Sequence, residues 1–447
     1  MLELFINLSR YIFSFLIFYF LFQGVVYILI ERQKLFKEAK IPIIKQRITI
    51  ALIHITGFSI LYFFNEDTLF IGVFWLLIYI AALFFIPKLF YKGSCPLMWN
   101  GLFFLITISL IILSRLNISL ANLQIIWVSI SFATLLILPI LLKILGRLEK
   151  FKYLYLIIGI AILGFGFFGI EEYGSLRRIE IPGTNFGFAP AELAGFLYIL
   201  YLSTSFRKRL EFKELIEPSI FAVIFVFILF FQRNLGAALI FFVSYMIIMY
   251  ISTGRMFLFV LGFTLFGAGS IVAYNVFAHV RVRVSVWLNP WQYVHGIGHQ
   301  SIQALFAVGT YGIFGSGLTL GIPGVVPVVA RDLTYAAIAE EFGTLFAVML
   351  LGVYIMIFYR GVHIALRSSR RYYSLIAVGF TGLLAFQTFL IVGGTVSMIP
   401  LTGVTLPFVS YGGSSLLVSI IMIGMLQWLF TRKAREDEEN EGGELNE

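Results

Sequence analysis

The stretch Tyr11-Ile-Phe-Ser-Phe-Leu-Ile-Phe-Tyr-Phe-Leu-Phe-Gln-Gly-Val-Val-Tyr-Ile-Leu-Ile30, followed at once by Glu31-Arg32-Gln-Lys34, decides the fold class. It is apolar over the length a helix needs to cross a bilayer, roughly 17 to 25 residues, and it ends in charge. A secretory leader would open on basic residues and stop sooner. Here the basic start is nearly absent and the apolar run continues through Ile30, so the stretch reads as a retained span. The pattern recurs near 48–64, 68–86, 97–114, 125–145, 153–170, 188–204, 219–231, 236–253, 256–277, 334–359, 373–399 and 405–430. The run at 219–231 is short, which leaves the total at about thirteen spans, give or take one.

Composition supports an all-α polytopic membrane protein. Of 447 residues, 60% are hydrophobic, 17% aromatic and only 12% charged. No soluble fold of this length covers so much apolar surface with so little charge. The net charge of +9 would suggest a nucleic-acid partner in a soluble protein. In this chain the basic residues gather between spans instead, so no nucleic acid is expected. They cluster at 31–47, 205–218 and 360–372, and again at Arg432, Lys433 and Arg435. With an odd number of spans all four clusters fall on one side, which the positive-inside rule makes cytoplasmic. The N-terminus is then outside, the C-terminus inside, and the long loop 278–333 extracytoplasmic. Residues 431–447, acidic and without apolar residues from Arg435 to Glu444, read as a disordered cytoplasmic tail. Cys95 is the only cysteine, which excludes an intrachain disulfide and a thiolate metal cluster.

Within this greasy chain the costly residues are the functional candidates. Asp332 closes the run Pro327-Val-Val-Ala-Arg-Asp332, where the polar loop re-enters a span. Glu340 and Glu341 follow in the same apolar stretch; being adjacent they cannot share a face, and at least one should point inward to a partner. Either can equally be a structural ion pair. Glu192 opens a span just after Pro190, where the helix dipole also favours an acid. Arg177, Arg178 and Arg233 sit in outside loops against the charge trend, and an anionic headgroup or pyrophosphate would explain them. The loop 278–333 carries Trp287, Asn289-Pro290-Trp291 and Gly296-Ile-Gly-His-Gln300. A semi-apolar stretch at 301–309 is too short to span, and its neighbours are glycine-rich. Together these suggest an interfacial or re-entrant structure over a cavity. His295 and His299 are four apart but flank glycines, so no metal site is expected there. No P-loop, nucleophile-elbow or dinucleotide-binding motif is present.

Several motifs, in order, resemble those of the SEDS proteins, the FtsW/RodA/SpoVE family. Gly393-Gly-Thr-Val-Ser-Met-Ile-Pro-Leu-Thr-Gly-Val-Thr-Leu-Pro-Phe-Val-Ser-Tyr-Gly-Gly-Ser-Ser415 resembles the family's terminal signature. Ala339-Glu-Glu-Phe-Gly343 resembles its Glu-Glu motif, Asn289-Pro-Trp with Gly298-His-Gln300 its large-loop motif, Ala189-Pro-Ala-Glu192 its Pro-Ser-Glu, and Gln232-Arg-Asn-Leu-Gly236 its Gln-Pro-Asp-Leu-Gly. The resemblance covers roughly 153–430 and leaves 1–152 as additional N-terminal helices, about three spans beyond the family's usual ten.

The resemblance implies a peptidoglycan glycosyltransferase of the bacterial cytoplasmic membrane that polymerises lipid II on the outer face and works with a class B penicillin-binding protein. The family's essential acid aligns with Asp332, which would take the proton from the acceptor hydroxyl. Glu192, Arg177, Arg178, Arg233, Gln300, Arg331, Glu340, Glu341, Ser410 and Tyr411 are the candidate substrate-binding residues. The chain departs from the family pattern at Ala191, Arg233, Asn234, His299, Arg331 and Leu333. No fixed cofactor is implied, and a divalent cation, Mg or Mn, stays open. Two readings from other classes also stay open: a lipid II flippase using the acids as an ion-coupled path, and a non-catalytic scaffold recruiting the penicillin-binding protein.

Overall fold

The structure is a computed structural model that describes residues 2–444 apart from 34, 36, 146–147, 173–174, 181–186, 209–210 and 297. In a bilayer every backbone N–H and C=O must find an internal partner, and the helix is the local solution. The helices run α1 (Leu2–Arg32), α2 (Lys40–Phe64), α3 (Thr68–Phe85), α4 (Pro96–Leu116), α5 (Ile118–Leu145), α6 (Lys152–Phe165), α7 (Pro190–Ser205) and α8 (Ile216–Phe231). After these come α9 (Leu235–Thr253), α10 (Met256–Val276), α11 (Ala278–Leu288), α12 (His299–Gly309), α13 (Thr334–Phe342), α14 (Thr344–Arg367), α15 (Arg371–Thr395) and α16 (Gly413–Glu444). Among the described residues twelve helices are long and apolar enough to cross a membrane. Of these, α6 and α8 reach that length with their flanking helical turns, as Leu148–Phe168 and Lys213–Phe231; α7, 16 residues, stands at the position expected for the thirteenth and packs against α6, α9, α15 and α16.

The helix α4 is apolar on every side, and every residue from Leu97 to Ser114 is buried. A helix of that kind belongs at the centre of a bundle, and α2, α3, α5, α13 and α14 surround it. At the other extreme α10 has no buried residue. It touches α9 through rings such as Phe242 on Phe266, 4.3 Å between centroids, and otherwise stands away from the bundle.

Contacts sort the loops as the charge pattern expected. Lys152 pairs with Glu217 at 2.8 Å and Arg207 with Glu149 at 3.3 Å, all four from basic-side segments. The segments at the other end meet one another around Asp332.

Three expectations are corrected. The span placed at 334–359 is two helices, because Gly343 breaks it with φ 93°. The freed backbone is satisfied by residues 312–317, which lie along the break. Ser316 N donates to Glu340 O (2.9 Å), Gly317 N to Glu341 O (2.9 Å) and Leu345 N to Ile313 O (3.1 Å). The last span starts at Gly413 rather than 405, since Pro400, Gly403, Pro407 and Gly412 keep 399–412 irregular. At its far end α16 continues to Glu444 through the tail expected to be disordered; Glu, Arg, Lys and Ala are all strong helix formers. The sequence reading also did not foresee a small antiparallel sheet, β1 (Ile170–Glu172), β2 (Ser175–Glu180) and β3 (Gly187–Phe188), just before α7.

Helix α1 crosses α14 closely. A Cβ on Gly24 would stand 2.2 Å from Met356 Sδ, and one on Gly352 2.9 Å from Leu21 Cδ1. Small residues at such crossings let backbones approach. Near the basic-side end Arg360 of α14, 1% exposed, donates to the Glu31 carboxylate and lies over the Tyr27 ring at 5.2 Å. Removing one partner of a buried ion pair strands the other charge. Glu31→Ala is therefore expected to destabilise the protein by about 3–5 kcal/mol, while Glu31→Leu combined with Arg360→Met recovers most of the loss. Unfolding of the single and double variants in detergent checks this; equal losses in single and double variants would contradict it.

Candidate active site

A turn whose geometry favours few residues carries Asp332. Val328 has φ 56°, and its carbonyl accepts from both Arg331 N (3.0 Å) and Asp332 N (3.1 Å). Asp332 is thereby set just ahead of α13, 7% exposed. The terminal signature closes over this turn: Tyr411 N donates to Ala330 O at 2.8 Å, and the Arg331 guanidinium lies 5.7 Å from the Tyr411 ring centre.

Asp332 lines a cavity of about 120 Å³ whose mixed lining carries several charged and polar side chains, a polar cavity by contrast with the apolar groove behind it. Glu192 enters it from the first turn of α7, which starts with a proline at a position where proline costs no hydrogen bond; its carboxyl bonds Ser415. Arg178 comes from β2, its guanidinium lying against Gly187, where a Cβ would stand 1.6 Å from Arg178 Nε. Asn234 caps α9 by accepting from Ala237 N at 3.4 Å. Gln387 of α15 donates to Thr405 O at 3.0 Å, and Thr405 Oγ1 meets Ser415 Oγ at 3.0 Å. Two carboxylates and two guanidiniums thus share one recess among hydroxyl and amide groups. Such a recess can hold a polyhydroxylated, anionic group and place a base beside one of its hydroxyls.

A second hollow, about 1080 Å³, lies between α8, α9, α10, α11 and α15. It is large for a small-molecule pocket and almost wholly apolar, and it runs from Phe212 and Ile216 at one end to Arg283 and Leu401 at the other. Helix α9 is the wall between the two spaces. Ala237, Ile240 and Phe241 face the polar cavity, whereas Ala238, Leu239 and Phe242 face the groove. Arg283 Nη1 donates to Leu401 O at 2.9 Å, two residues from Gly403 of the cavity. Around it the groove mouth is basic. His279 is held below its usual range first by burial and then by Arg233 and Arg283, so its charged form is disfavoured beside the two guanidiniums.

Of the expected site residues, the structure gathers Asp332, Arg331, Glu192, Arg178 and Tyr411 in the polar cavity. Those of the others whose side chains are described lie elsewhere. Arg233 lies in the α8–α9 turn beside His279. Gln300 is in α12, outside the cavity lining. Ser410 is spent on the local turn, its Oγ accepting from Leu406 N at 3.1 Å. Glu340 and Glu341 are both buried, but they hold the chain rather than line the cavity. Glu340 Oε1 accepts from Ile322 N at 2.7 Å. Glu341 Oε1 takes Arg115 Nε at 2.9 Å, and Arg115 also donates to Gly321 O at 3.0 Å. The structural alternative for these two acids therefore fits their contacts. The side chain of Arg177 falls outside what is described. Residues at the site that were not among the candidates from sequence are Gln387, Thr405, Ser415, Arg283 and Arg115. Arg115 had a readable signal: a lone basic residue at the end of a span opposite the basic clusters.

A sequence model of the FtsW/RodA/SpoVE family, described as a cell cycle protein, matches residues 89–435. The match takes in α4 and α5, so it begins well before the boundary at 153 drawn from motifs. The peptidoglycan glycosyltransferase RodA of Mycobacterium tuberculosis (strain ATCC 25618 / H37Rv) is 35% identical over 326 residues, 68% of this chain and 69% of that protein. Stage V sporulation protein E of Bacillus subtilis (strain 168) is 31% identical over 267 residues, 58% of this chain and 72% of that protein. Among solved structures, a chain of a peptidoglycan synthase complex superposes with a TM-score of 0.65 at 22% identity, covering 77% of this chain and 99% of that one. The rod shape determining protein RodA of Thermus thermophilus gives 0.55 at 22% identity, over 76% and 97%. Helical fold, motif order and sequence identity agree: the chain is a member of the FtsW/RodA/SpoVE family.

Proposed function

We propose that the chain is a peptidoglycan glycosyltransferase that polymerises lipid II at the outer face of the bacterial cytoplasmic membrane, with Asp332 as general base. The observation that carries the reading is the pairing of the two hollows across α9: a polar cavity holding Asp332 beside a bilayer-deep apolar groove with a basic mouth. Lipid II has the matching three parts. Its polyprenyl chain suits the groove, its pyrophosphate suits Arg283 and Arg233, and its sugars would lie over the cavity. Asp332 takes the proton of the acceptor hydroxyl, whose oxygen forms the new bond to the donor's anomeric carbon. The bond from that carbon to the pyrophosphate oxygen breaks on the opposite face, so configuration inverts and undecaprenyl pyrophosphate leaves. Charge developing on the leaving group is stabilised by the guanidiniums already in place. The relatives named as glycosyltransferases support the same reaction, and the likeness to a chain of a peptidoglycan synthase complex supports a class B penicillin-binding protein as partner. The outward placement rests on the basic clusters of the opposite end.

Purified protein in detergent, where no membrane separates two compartments, tests the reading. Given lipid II and the cognate penicillin-binding protein, it is expected to yield glycan strands. Arg283→Ala is expected to raise KM roughly tenfold, the loss of one charge-assisted contact to phosphate. Glycan-free reactions with lipid II movement across proteoliposomes would support a flippase instead.

A further inference from the structure

Helices α1, α2 and α3 end at Phe85, before the family match begins at residue 89. The solved relatives are covered over 97–99% of their own length but only 76–77% of this chain. These three helices are therefore an addition to the shared core, and nothing in the reaction above uses them. Their contacts are not those of a passive extension. The outer end of α1 lies on residues 314–317, upstream of Asp332, and on the end of α13, the helix that follows it. Arg10 Nη1 donates to Gly315 O at 3.3 Å, and the guanidinium stands 5.0 Å from the centre of its neighbour Tyr11's ring. Tyr11 in turn meets Phe314 at 4.9 Å between centroids. Phe13, fully buried, meets Phe342, the last residue of α13, edge-on at 5.0 Å. Ile6 lies against Gly317.

These partners are the strand of chain that repairs the break at Gly343. Residues 312–317 bond the carbonyls of Glu340 and Glu341 on one side of the break and Leu345 on the other. Whatever fixes 312–317 therefore fixes α13, and Asp332 directly precedes α13. From the core, Arg115 holds the next stretch through Gly321 O and Glu341. From the addition, α1 holds 314–317. The ion pair of Glu31 with Arg360 anchors the other end of α1 to α14, so α1 cannot slide along the helix it braces.

We infer that the N-terminal addition is a built-in brace for the catalytic segment, and that Arg10 and Tyr11 are positioning residues for Asp332, acting through the 312–317 strand and α13. The inference rests on the reading of Asp332 as the base. A misplacement of about 1 Å at a reacting group is enough to cost up to roughly 100-fold in rate. Loss of one peripheral brace contact should cost less and should fall on kcat, because the substrate-binding groove lies on the far side of α9.

The test compares wild type, Arg10→Ala, Arg10→Lys and Tyr11→Ala, with Phe18→Ala as a control on an exposed position of α1. Hydrogen–deuterium exchange is read at 312–317 and 340–345, and lipid II polymerisation in the full-length protein is measured with its penicillin-binding protein. For Arg10→Ala and Tyr11→Ala, exchange at those segments is expected to rise about fivefold with the rest of the bundle unchanged. Their kcat should fall roughly tenfold at nearly constant KM, with Arg10→Lys in between. Unchanged exchange at 312–317 overturns the brace, as does faster exchange with undiminished kcat. If Asp332→Asn polymerises as well as wild type, the catalytic reading fails by itself, and the exchange comparison still decides whether α1 holds the segment.

Discussion

Gly343→Ala is expected to destabilise the protein by about 3 kcal/mol or more and to abolish glycan synthesis. The backbone there has φ 93°, a region that side-chain-bearing residues enter at a cost of about 1–3 kcal/mol. Space makes it worse. A Cβ would stand 2.3 Å from Ile313 O, 2.5 Å from Phe314 C and 2.6 Å from Gly315 N, all backbone atoms. None can rotate away, so the 312–317 strand must separate from the break between α13 and α14. That separation exposes the carbonyls of Glu340 and Glu341 in a region where both side chains are already buried, and it releases α13 with Asp332. Gly254→Ala is the matched control, since φ is 66° there but nothing lies within 4 Å of the would-be Cβ; it is expected to cost only about 1 kcal/mol. Thermal unfolding in detergent for both variants, beside product gels, reads the difference. Comparable losses at the two positions would show that close approach at Gly343 contributes little.

The break at Gly343 also explains what could and could not be read from sequence. Spans such as 11–30 were legible because hydropathy needs no tertiary information. The basic clusters at one end of the spans were legible too, because Arg and Lys gather where lipid is absent. Asp332 stood out because a carboxylate beside an apolar stretch is expensive wherever it lies. The division of 334–359 was hidden, because its apolar composition continues through Gly343 and the hydrogen bonds that permit the break come from residues about 30 positions earlier. At least one of Glu340 and Glu341 was expected to have a partner, and the one that Glu341 finds, Arg115, is 226 residues away. The terminal signature was recognised as a motif but placed too far into a span. Its glycines and prolines are what make it an irregular loop that reaches the cavity. The sheet at 170–188 was missed because strands of two to six residues leave too short an alternation to detect. In each case the unread part depends on contacts between distant segments.

The placement of Arg331 next to Asp332 illustrates how the structure refines a departure from the family pattern. In sequence it is an unexpected charge beside the proposed base. In the fold it lies over Tyr411, so it joins the terminal signature to the Asp332 turn and lines the same cavity. An arginine there adds a cation where a pyrophosphate-linked sugar would lie.

The most direct measurement of the central claim is lipid II polymerisation by purified protein with a penicillin-binding protein as the proposed partner, comparing wild type with Asp332→Asn. The asparagine keeps size and hydrogen-bonding capacity but cannot accept the proton. Wild type is predicted to form glycan strands and Asp332→Asn to be slower by roughly 100- to 10,000-fold at unchanged lipid II binding. An Asp332→Asn variant that makes glycan as fast as wild type would contradict the assignment of the base.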